Sequence, residues 1–296
     1  MSQQGPMSVN FVHPEHPVYD VMNGDARQEI KIHEHGMVAL LDVMPRFAPI
    51  DKTADFAIVQ AARVSYGEGT KEVHEDHGLI RYLMRHRHTT PFEMVEFKFH
   101  HVMPIFIARQ WIRHRTANVN EYSARYSVVK DRFYIPDVES VRVQSKSNRQ
   151  GGDTRMEEGE ASSFLCTLNQ TCINAYERYI VALSEGMSRE QARMILPLNV
   201  YTEWYWKIDL HNLFHFLSLR MDSHAQQEIR DYANAMFTLI QPIVPIAAQA
   251  FLDYRLNAMT LSSLEIKAIN NQQPLASDNK REQAEWEEKT RKLGWS

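Results

Sequence analysis

A few strand-like segments among longer helix-like segments constrain the fold of this chain most strongly. Residues 37–44, MVALLDVM, form a mostly apolar run of strand length. Val95, Phe97 and Phe99 alternate with polar residues as in a half-buried strand, and residues 200–208, VYTEWYWKI, predict another short strand. These segments do not alternate with helices in repeating units, so the pattern predicts an α+β fold with helix in excess rather than a doubly wound sheet.

Helical periodicity occupies most of the remaining chain. Residues 77–86 place apolar side chains on one face, and residues 104–115, PIFIARQWIRHR, predict a helix that ends in Arg113, His114 and Arg115. An apolar stripe from Phe164 to Tyr179 is closed by Gly186. Further helix signals are a capping box at Ser188 and Gln191, a cap at Asp209, and a helical stretch over 223–256 with kinks at Pro242 and Pro245.

Three segments lack this periodicity. Residues 1–28 are polar with scattered prolines, residues 144–163 carry a Gly-Gly pair and predict a mobile or surface loop, and residues 277–294 predict a solvated terminal helix between Ser277 and Gly294. We therefore expect a flexible tail over 1–28, a folded domain over 29–260 with an inserted loop at about 139–163, and a polar extension over 261–296.

Composition excludes several classes of function. The formal charge of −4 and the pI near 6.4 argue against a general nucleic-acid-binding surface. No run of eighteen apolar residues and no leader-like start occurs, so we expect a cytoplasmic protein that does not enter membranes. With only Cys166 and Cys172, neither a disulfide framework nor a cysteine zinc site is predicted, and both thiols are expected to pack in the core.

Two further patterns carry no clear chemistry. His211 and His215 have the four-residue spacing of a helical metal site, but no third ligand accompanies them, so no metal is predicted. The glycines of YGEGTKE, residues 66–72, lack the spacing of a dinucleotide fingerprint or phosphate loop and predict a turn.

The segment RHRTANVNEYSARY, residues 113–126, concentrates three arginines and a histidine in an acidic chain. Guanidinium groups form bidentate hydrogen bonds with phosphate and carboxylate oxygens and stay charged at every working pH. The asparagines and Ser123 between them suit a loop that closes around a phosphate. The segment therefore indicates a local anion site, with a solvated basic face or intersubunit ion pairs as alternatives.

This segment resembles the signature of the flavin-dependent thymidylate synthases, in which Arg-His-Arg is followed after seven residues by Ser, one residue and Arg. Here those positions are Arg113, His114, Arg115, Ser123 and Arg125. The blocks AARVSYG, HTTPFE, PIFIARQWIRHR, FYIP, ILPLNVYT and LRMDSHAQQEIRDYA are similar to family blocks and extend the resemblance over about residues 30–255.

The resemblance implies a helix-rich single domain with a small antiparallel sheet, assembled as a homotetramer with active sites between subunits. It implies that FAD binds beside dUMP, that methylenetetrahydrofolate donates the carbon, and that NADPH reduces the flavin. The products are dTMP and tetrahydrofolate.

The resemblance also implies roles for individual residues. The implied FAD-binding residues are His88, Thr90, Glu93, Arg113, His114, Arg115, Glu121, Asp209, Leu210, His211 and His215. The implied dUMP-binding residues are Gln110, Trp111, Ile112, Arg113, Glu121, Tyr122, Ser123, Ala124, Arg125, Arg193 and Arg220.

Within these sets, Thr90 is expected to face the FAD phosphates, and Arg125 and Arg193 to neutralise the nucleotide phosphate. Arg220 is expected to be catalytic, because a fixed positive charge at the uracil edge stabilises negative charge that develops on the base. The family often has asparagines where this chain has Asp209 and His215, and Leu210 and His211 are expected to act through their backbone.

Two other interpretations remain open at this stage. A thymidylate synthase with a cysteine nucleophile is disfavoured, because neither cysteine lies in a motif or beside a basic cluster, and Ser123 has no general base in a clear relation to it. A nucleic-acid-binding module could use the Arg-rich helix 104–115, although no second basic stripe accompanies it.

Overall fold

The computed structural model describes residues 10–11, 28–48, 52–64, 76–145 and 151–295. The turn predicted at residues 66–72 and most of the tail predicted over 1–28 lie outside these ranges. One part of that segment is described: residues 10–11 form a strand that pairs with residues 47–48.

The sheet that organises the chain has five strands in the order β2-β3-β5-β9-β6, and every neighbouring pair is antiparallel. The described strands are β1 Asn10–Phe11, β2 Glu29–Ile32, β3 Gly36–Met44, β4 Phe47–Ala48, β5 Glu96–Pro104, β6 Asn118–Glu121, β7 Arg142–Gln144, β8 Gly152–Arg155 and β9 Tyr201–Asp209. β1 pairs with β4 and β7 with β8 as separate two-stranded sheets. The predicted small antiparallel sheet is confirmed.

Helices account for most of the other described residues. The α-helices are α1 Asp55–Val64, α2 Asp76–Arg85, α3 Ile105–Trp111, α4 Glu158–Ser184, α5 Arg189–Ala192, α6 Leu210–Arg220, α7 Gln227–Ile240, α8 Pro245–Phe251, α9 Ser263–Asn271 and α10 Lys280–Lys292. Short 3-10 turns cover Thr90–Met94, Val138–Ser140 and Arg193–Ile195, and Leu252–Leu256 is a π-helix.

The core of the sheet follows the predicted alternation. Phe97 and Phe99 of β5 are buried while Lys98 between them is exposed, and Trp206 of β9 lies opposite Phe99 in the register. Side chains with this period-two burial cover one face of the sheet, and α3 packs against it through the fully buried Trp111. Packing of Trp111 on the sheet therefore sets the position of the end of α3.

The end of α3 differs from the prediction. The helix ends at Trp111, so Arg113, His114 and Arg115 follow it in an irregular segment before β6 begins at Asn118. Pairing of β6 with β9 requires the chain to leave the helix here, although Ile112 continues the apolar pattern. Arg113, His114 and Arg115 thus lie on a connection between helix and sheet, where their side chains are not aligned by helical geometry.

Other local predictions were partly wrong. The capping box at Ser188 is absent, because α5 has only four residues before it tightens into a 3-10 turn, and the Ser188 hydroxyl donates to Gln191 Oε1 at 3.3 Å. The segment 144–163 includes β8 and the first residues of α4 rather than a loop alone. Residues 223–256 break between α7 and α8 instead of forming one kinked helix.

The two cysteines differ in burial. Cys172 is buried and its sulfur lies 3.2 Å from the side-chain nitrogen of Asn199, as expected for a core thiol. Cys166 is exposed, so the prediction that it packs in the core was wrong. Only one side of the long helix α4 is covered, and Cys166 lies outside that side.

Contacts divide the chain into two compact units, residues 1–251 and 252–296. Within the first unit, the buried carboxylate of Asp55 in α1 accepts hydrogen bonds from the backbone N–H groups of Ile246 and Ala247, at 2.9 and 3.0 Å, at the start of α8. Burial raises the pKa of Asp55 to about 6 despite these bonds. The second unit contains α9, which starts with a complete capping box at Ser262 and Glu265, and α10.

Candidate active site

One backbone connection places the 3-10 turn Thr90–Met94 beside the start of α6. The N–H of Leu210 donates to the carbonyl of Val95 at 2.8 Å, directly after that turn. Asp209 caps α6 as predicted: its Oδ1 accepts from the N–H of Asn212 at 2.9 Å and its Oδ2 from the Asn212 side chain at 2.6 Å. The segments HTTPFE and LHNLFHFLSLR, distant in sequence, are therefore neighbours in the fold.

The end of α3 and the end of α6 meet in a cluster that we call the α3–α6 cluster. It comprises Gln110, His114, His215, Arg220 and Gln226. Arg220 Nε donates a hydrogen bond to His114 Nε2 at 3.1 Å, and the Gln110 side chain donates to that of Gln226. The His114 and His215 rings are 6.0 Å apart.

Burial controls the charge of this cluster. Burial, and next the positive charge of Arg220, lower the pKa of His114 to about 4, so its imidazole is neutral at neutral pH. A neutral imidazole has one ring nitrogen free to accept, which is the role that Nε2 has here. Burial also lowers the pKa of Arg220, but a guanidinium remains charged. The terminal amino groups of Arg220 make no hydrogen bond with another described residue, so they are available to a ligand.

Aromatic packing beneath the cluster holds the two helices together. The Trp111 ring stacks on Phe216 of α6 with centroids 4.8 Å apart and meets Trp204 and Trp206 of β9 edge to face at 5.8 and 5.4 Å. The His114 ring contacts the same Phe216 at 4.9 Å. Trp111 is fully buried, so its side chain cannot form the predicted nucleotide contact, and only its backbone is available for one.

A second cluster lies where the loop after β6 meets α5, and we call it the 123–126 loop cluster. It comprises Ser123, Arg125, Tyr126, Arg189, Glu190 and Arg193. Arg125 Nε donates to Glu190 Oε2 at 3.1 Å, and Arg193 Nε donates to the Glu190 carbonyl at 3.3 Å. Arg125 and Glu190 are both about half exposed, so this ion pair is worth little and is easily exchanged for a ligand anion.

Two predicted residues lie on or just after β6. Glu121 is exposed, and its Oε1 accepts a hydrogen bond from the Thr202 hydroxyl of β9 at 2.7 Å. The Tyr122 hydroxyl donates to the carbonyl of Val128 at 2.8 Å, which closes the loop, and burial raises the pKa of Tyr122. Thr202 thus orients Glu121, a role the sequence pattern did not reveal.

A cleft lies between α1 and the segment that contains HTTPFE. Its volume is about 710 Å³, within the range of roughly 300–1,000 Å³ typical of small-molecule sites. Thr90 and His88 line it, as do Arg87, Thr89 and apolar residues of α1. Hydroxyl, imidazole and guanidinium groups suit the phosphates of a flavin cofactor, and the apolar wall suits a ring system, so the residues present fit such a group.

The predicted residues do not form one continuous site within this chain. Among the described residues, no hydrogen bond or ion pair joins the α3–α6 cluster to the 123–126 loop cluster. Arg113, Arg115 and Ile112 are exposed on the connection after α3, and Ala124 and Glu93 are half-buried. His211 is half-buried and Leu210 is fully buried, so Leu210 is accessible only through its backbone.

Sequence reasoning missed several residues that the structure adds to the site. Gln226 pairs with Gln110, Glu190 pairs with Arg125, and Arg87 lines the cleft. Gln226 lies within the quoted block LRMDSHAQQEIRDYA, so a signal was available for it. Glu190 and Arg87 carry no sequence signal of their own.

Two absences within the described ranges bear on function. No three His, Cys, Asp or Glu side chains there come together as a group that could hold a metal ion. No described helix has both the length and the apolar character needed to cross a membrane.

Clusters of cationic side chains beside a cleft of this size are typical of proteins that bind phosphorylated small molecules. A family model described as "Thymidylate synthase complementing protein" (Thy1) matches residues 49–246. A flavin-dependent thymidylate synthase of Dictyostelium discoideum is 64% identical over 285 residues, covering 96% of this chain and 94% of that protein. One from Gluconobacter oxydans is 52% identical over 242 residues, covering 81% of this chain and 77% of that protein.

Solved structures agree with this relationship. A UMP/dUMP methylase of Streptomyces cacaoi, crystallised with 5-Br UMP, has a TM-score of 0.66 and 33% identity, covering 77% of this chain and 98% of that chain. The same enzyme with 5-Br dUMP gives a TM-score of 0.65. The chain belongs to the flavin-dependent thymidylate synthase family, and the resemblance read from its motifs is confirmed.

Proposed function

We propose that this protein catalyses the FAD-dependent reductive methylation of dUMP to dTMP. Methylenetetrahydrofolate donates the carbon, NADPH is the reductant and tetrahydrofolate is released. The observation that carries the proposal is the half-buried Arg220, held at Nε by a neutral His114 and with its terminal amino groups available to a ligand. The names of the relatives support a flavin cofactor and a uracil nucleotide as substrate.

Several residues are assigned to the cofactor. His88 and Thr90 line the cleft, and Arg113 and Arg115 lie exposed after α3, so these residues would hold the FAD phosphates. Glu93, Glu121 and the start of α6 from Asp209 to His211, together with His114 and His215, complete the proposed set. The chemistry that bound FAD supplies is hydride transfer.

The nucleotide phosphate is assigned to the 123–126 loop cluster. Arg125 and Arg193 would exchange their bonds to Glu190 for phosphate oxygens, and Ser123 would donate its hydroxyl. Gln110 and the backbone around Trp111 and Ile112 would contact the nucleoside, with Glu121, Tyr122 and Ala124 on the opposite strand and loop.

Arg220 is assigned to the chemical step. Its partly desolvated guanidinium, oriented by His114, would lie at the edge of the uracil and stabilise negative charge that develops on the base. Burial strengthens this interaction, because charges act over a lower effective dielectric constant away from water. His114 keeps the guanidinium plane fixed by accepting at Nε2.

A cysteine nucleophile has no place in this proposal. The sulfur of Cys172 lies in the core beside Asn199, and Cys166 is exposed on α4. No described cation pairs with either sulfur, so neither cysteine has a neighbouring group that would stabilise a reactive thiolate.

Assembly from several copies would unite the two clusters, and we propose a homotetramer in the cytoplasm. Tyr126, Met194 and Leu198, on or beside the 123–126 loop cluster, are 76%, 75% and 66% exposed. Large apolar side chains grouped in this way typically mark interaction surfaces. We propose that another copy covers these residues and that its α3–α6 cluster faces Arg125 and Arg193.

The direct test is formation of dTMP by the purified full-length chain after its flavin has been removed. With dUMP, methylenetetrahydrofolate and NADPH, product should form only when FAD is restored. Product formation without flavin would reject the proposal, as would no product in the complete mixture. A chain that binds nucleic acid through residues 104–115 and makes no dTMP would support the alternative.

A further inference from the structure

Arg87 occupies a backbone conformation that side chains rarely adopt. Its φ is +58°, in the left-handed region that favours glycine. The N–H of His88 bonds to the carbonyl of Leu83 at 3.0 Å and that of Arg87 to the carbonyl of Met84 at 3.4 Å. This pair of bonds is the Schellman motif that closes α2, with an arginine at the position where glycine is usual.

The same motif elsewhere in the chain shows the alternative choice. α4 ends with the same bond pattern at Gly186, φ +88°, and α10 ends with it at Gly294, φ +69°. Gln272, φ +51°, shows that a side chain at this position is tolerated and is not by itself a sign of a ligand. Arg87 differs from Gln272 in its surroundings, because Arg87 lines a cleft.

Those surroundings form the cleft of about 710 Å³ next to α1. Its polar wall consists of Arg87, His88, Thr89 and Thr90, and its apolar wall includes Val64 and Met94, which are 81% and 44% exposed. The cleft thus offers apolar surface to a ring system on one side and hydrogen-bond donors to an anion on the other. Arg87 is exposed and makes no ion pair with another described residue, so its guanidinium is available to such an anion.

We propose that Arg87 binds a phosphate group of the flavin cofactor in this cleft, together with Thr90. This inference rests on the proposed function and adds a residue to its cofactor site. The two backbone hydrogen bonds of this turn hold the backbone of Arg87 in place at the edge of the cleft, and its planar guanidinium can bond two phosphate oxygens at once. A role of Arg87 in neutralising the carboxyl end of α2 is the competing explanation.

The test compares FAD with riboflavin, which has the same ring system but no phosphate, in binding titrations of the flavin-free protein. Arg87→Gln keeps a long side chain and removes the charge. It should weaken FAD binding by roughly ten- to hundredfold, as expected for the loss of a charged hydrogen bond, and leave riboflavin binding unchanged. Lys31→Gln, which removes an exposed charge on β2, is the matched control and should bind FAD as the wild type does.

A second variant separates binding from folding. Arg87→Gly relieves the left-handed conformation, so the Tm of the flavin-free protein should stay the same or rise by up to about 4 °C while FAD binding weakens. If FAD binds to Arg87→Gln within twofold of the wild-type Kd, the inference is wrong. It is also wrong if riboflavin binding weakens equally or if Lys31→Gln has the same effect. A wild-type protein that does not bind FAD would instead reject the proposed function itself.

Discussion

Arg220 Nε and His114 Nε2 lie 3.1 Å apart, with the guanidinium as donor and the neutral imidazole as acceptor. This bond joins the end of α6 to the segment after α3 across 106 residues of sequence. The bond uses Nε, the guanidinium nitrogen within the side chain. Both terminal amino groups are left available to a planar ligand. The histidine of the signature motif is therefore a positioning residue for the arginine, in addition to its proposed contact with FAD.

The first prediction concerns the pH dependence of stability. The pKa of His114 falls from 6.5 in the unfolded chain to about 4 in the folded one, so between these values the unfolded chain binds more protons. The free energy of unfolding should therefore fall as the pH drops from 6.5 towards 4. His114→Gln replaces the nitrogen acceptor with an amide oxygen acceptor and does not titrate, so thermal melts across this window should show a shallower pH dependence. An unchanged slope would mean that His114 is not held neutral by the fold.

The second prediction concerns the nucleotide phosphate. Arg125→Ala should weaken dUMP binding by about 1.5–3 kcal/mol, because a charged hydrogen bond is lost. Glu190→Gln is the matched control: it removes the negative charge of the present partner of Arg125 and should leave dUMP affinity unchanged or slightly higher. Calorimetric titration of both variants with dUMP measures the effect. Equal dUMP affinity in Arg125→Ala and the wild type would contradict the assignment.

The third prediction concerns the thiols. A variant with both Cys166→Ser and Cys172→Ser should keep dTMP turnover nearly intact, since no proposed step needs a thiolate. The buried position costs some stability, because a hydroxyl replaces a sulfur beside Asn199. A double variant that folds and binds FAD yet forms no dTMP would restore a cysteine mechanism.

Local patterns predicted the strands β3, β5 and β9 well, did not predict the other described strands, and placed the ends of helices less well. β5 and β9 follow an alternation of buried and exposed residues that is visible in the sequence, and Asp209 carries an unambiguous capping signal. The predicted end of α3 was wrong. Ile112 continues the helical pattern, but the pairing of β6 with β9, a contact distant in sequence, ends the helix before it. Tertiary pairing overrides local periodicity at this point.

The candidate site likewise combines features that the sequence predicted with features that it did not. The motif 113–126 identified the cations, but no periodicity predicts that His114 meets Arg220 or that Glu190 holds Arg125. Burial of Trp111 behind the cluster likewise follows from the packing of α3 between β9 and α6. Sequence reveals which groups are present, and the fold decides which of them meet.

The central claim is that Arg220 acts on the chemistry while other arginines act on binding. The measurement that tests it most directly is single-turnover formation of dTMP by Arg220→Ala, at saturating dUMP and from pre-reduced enzyme, so that nucleotide affinity and flavin reduction do not contribute. FAD should remain bound and the rate should fall by on the order of a hundredfold or more, as for other preorganised electrostatic groups. Arg220→Lys should recover little, because a point charge cannot replace a planar pair of donors. A rate for Arg220→Ala near that of the wild type would contradict the account.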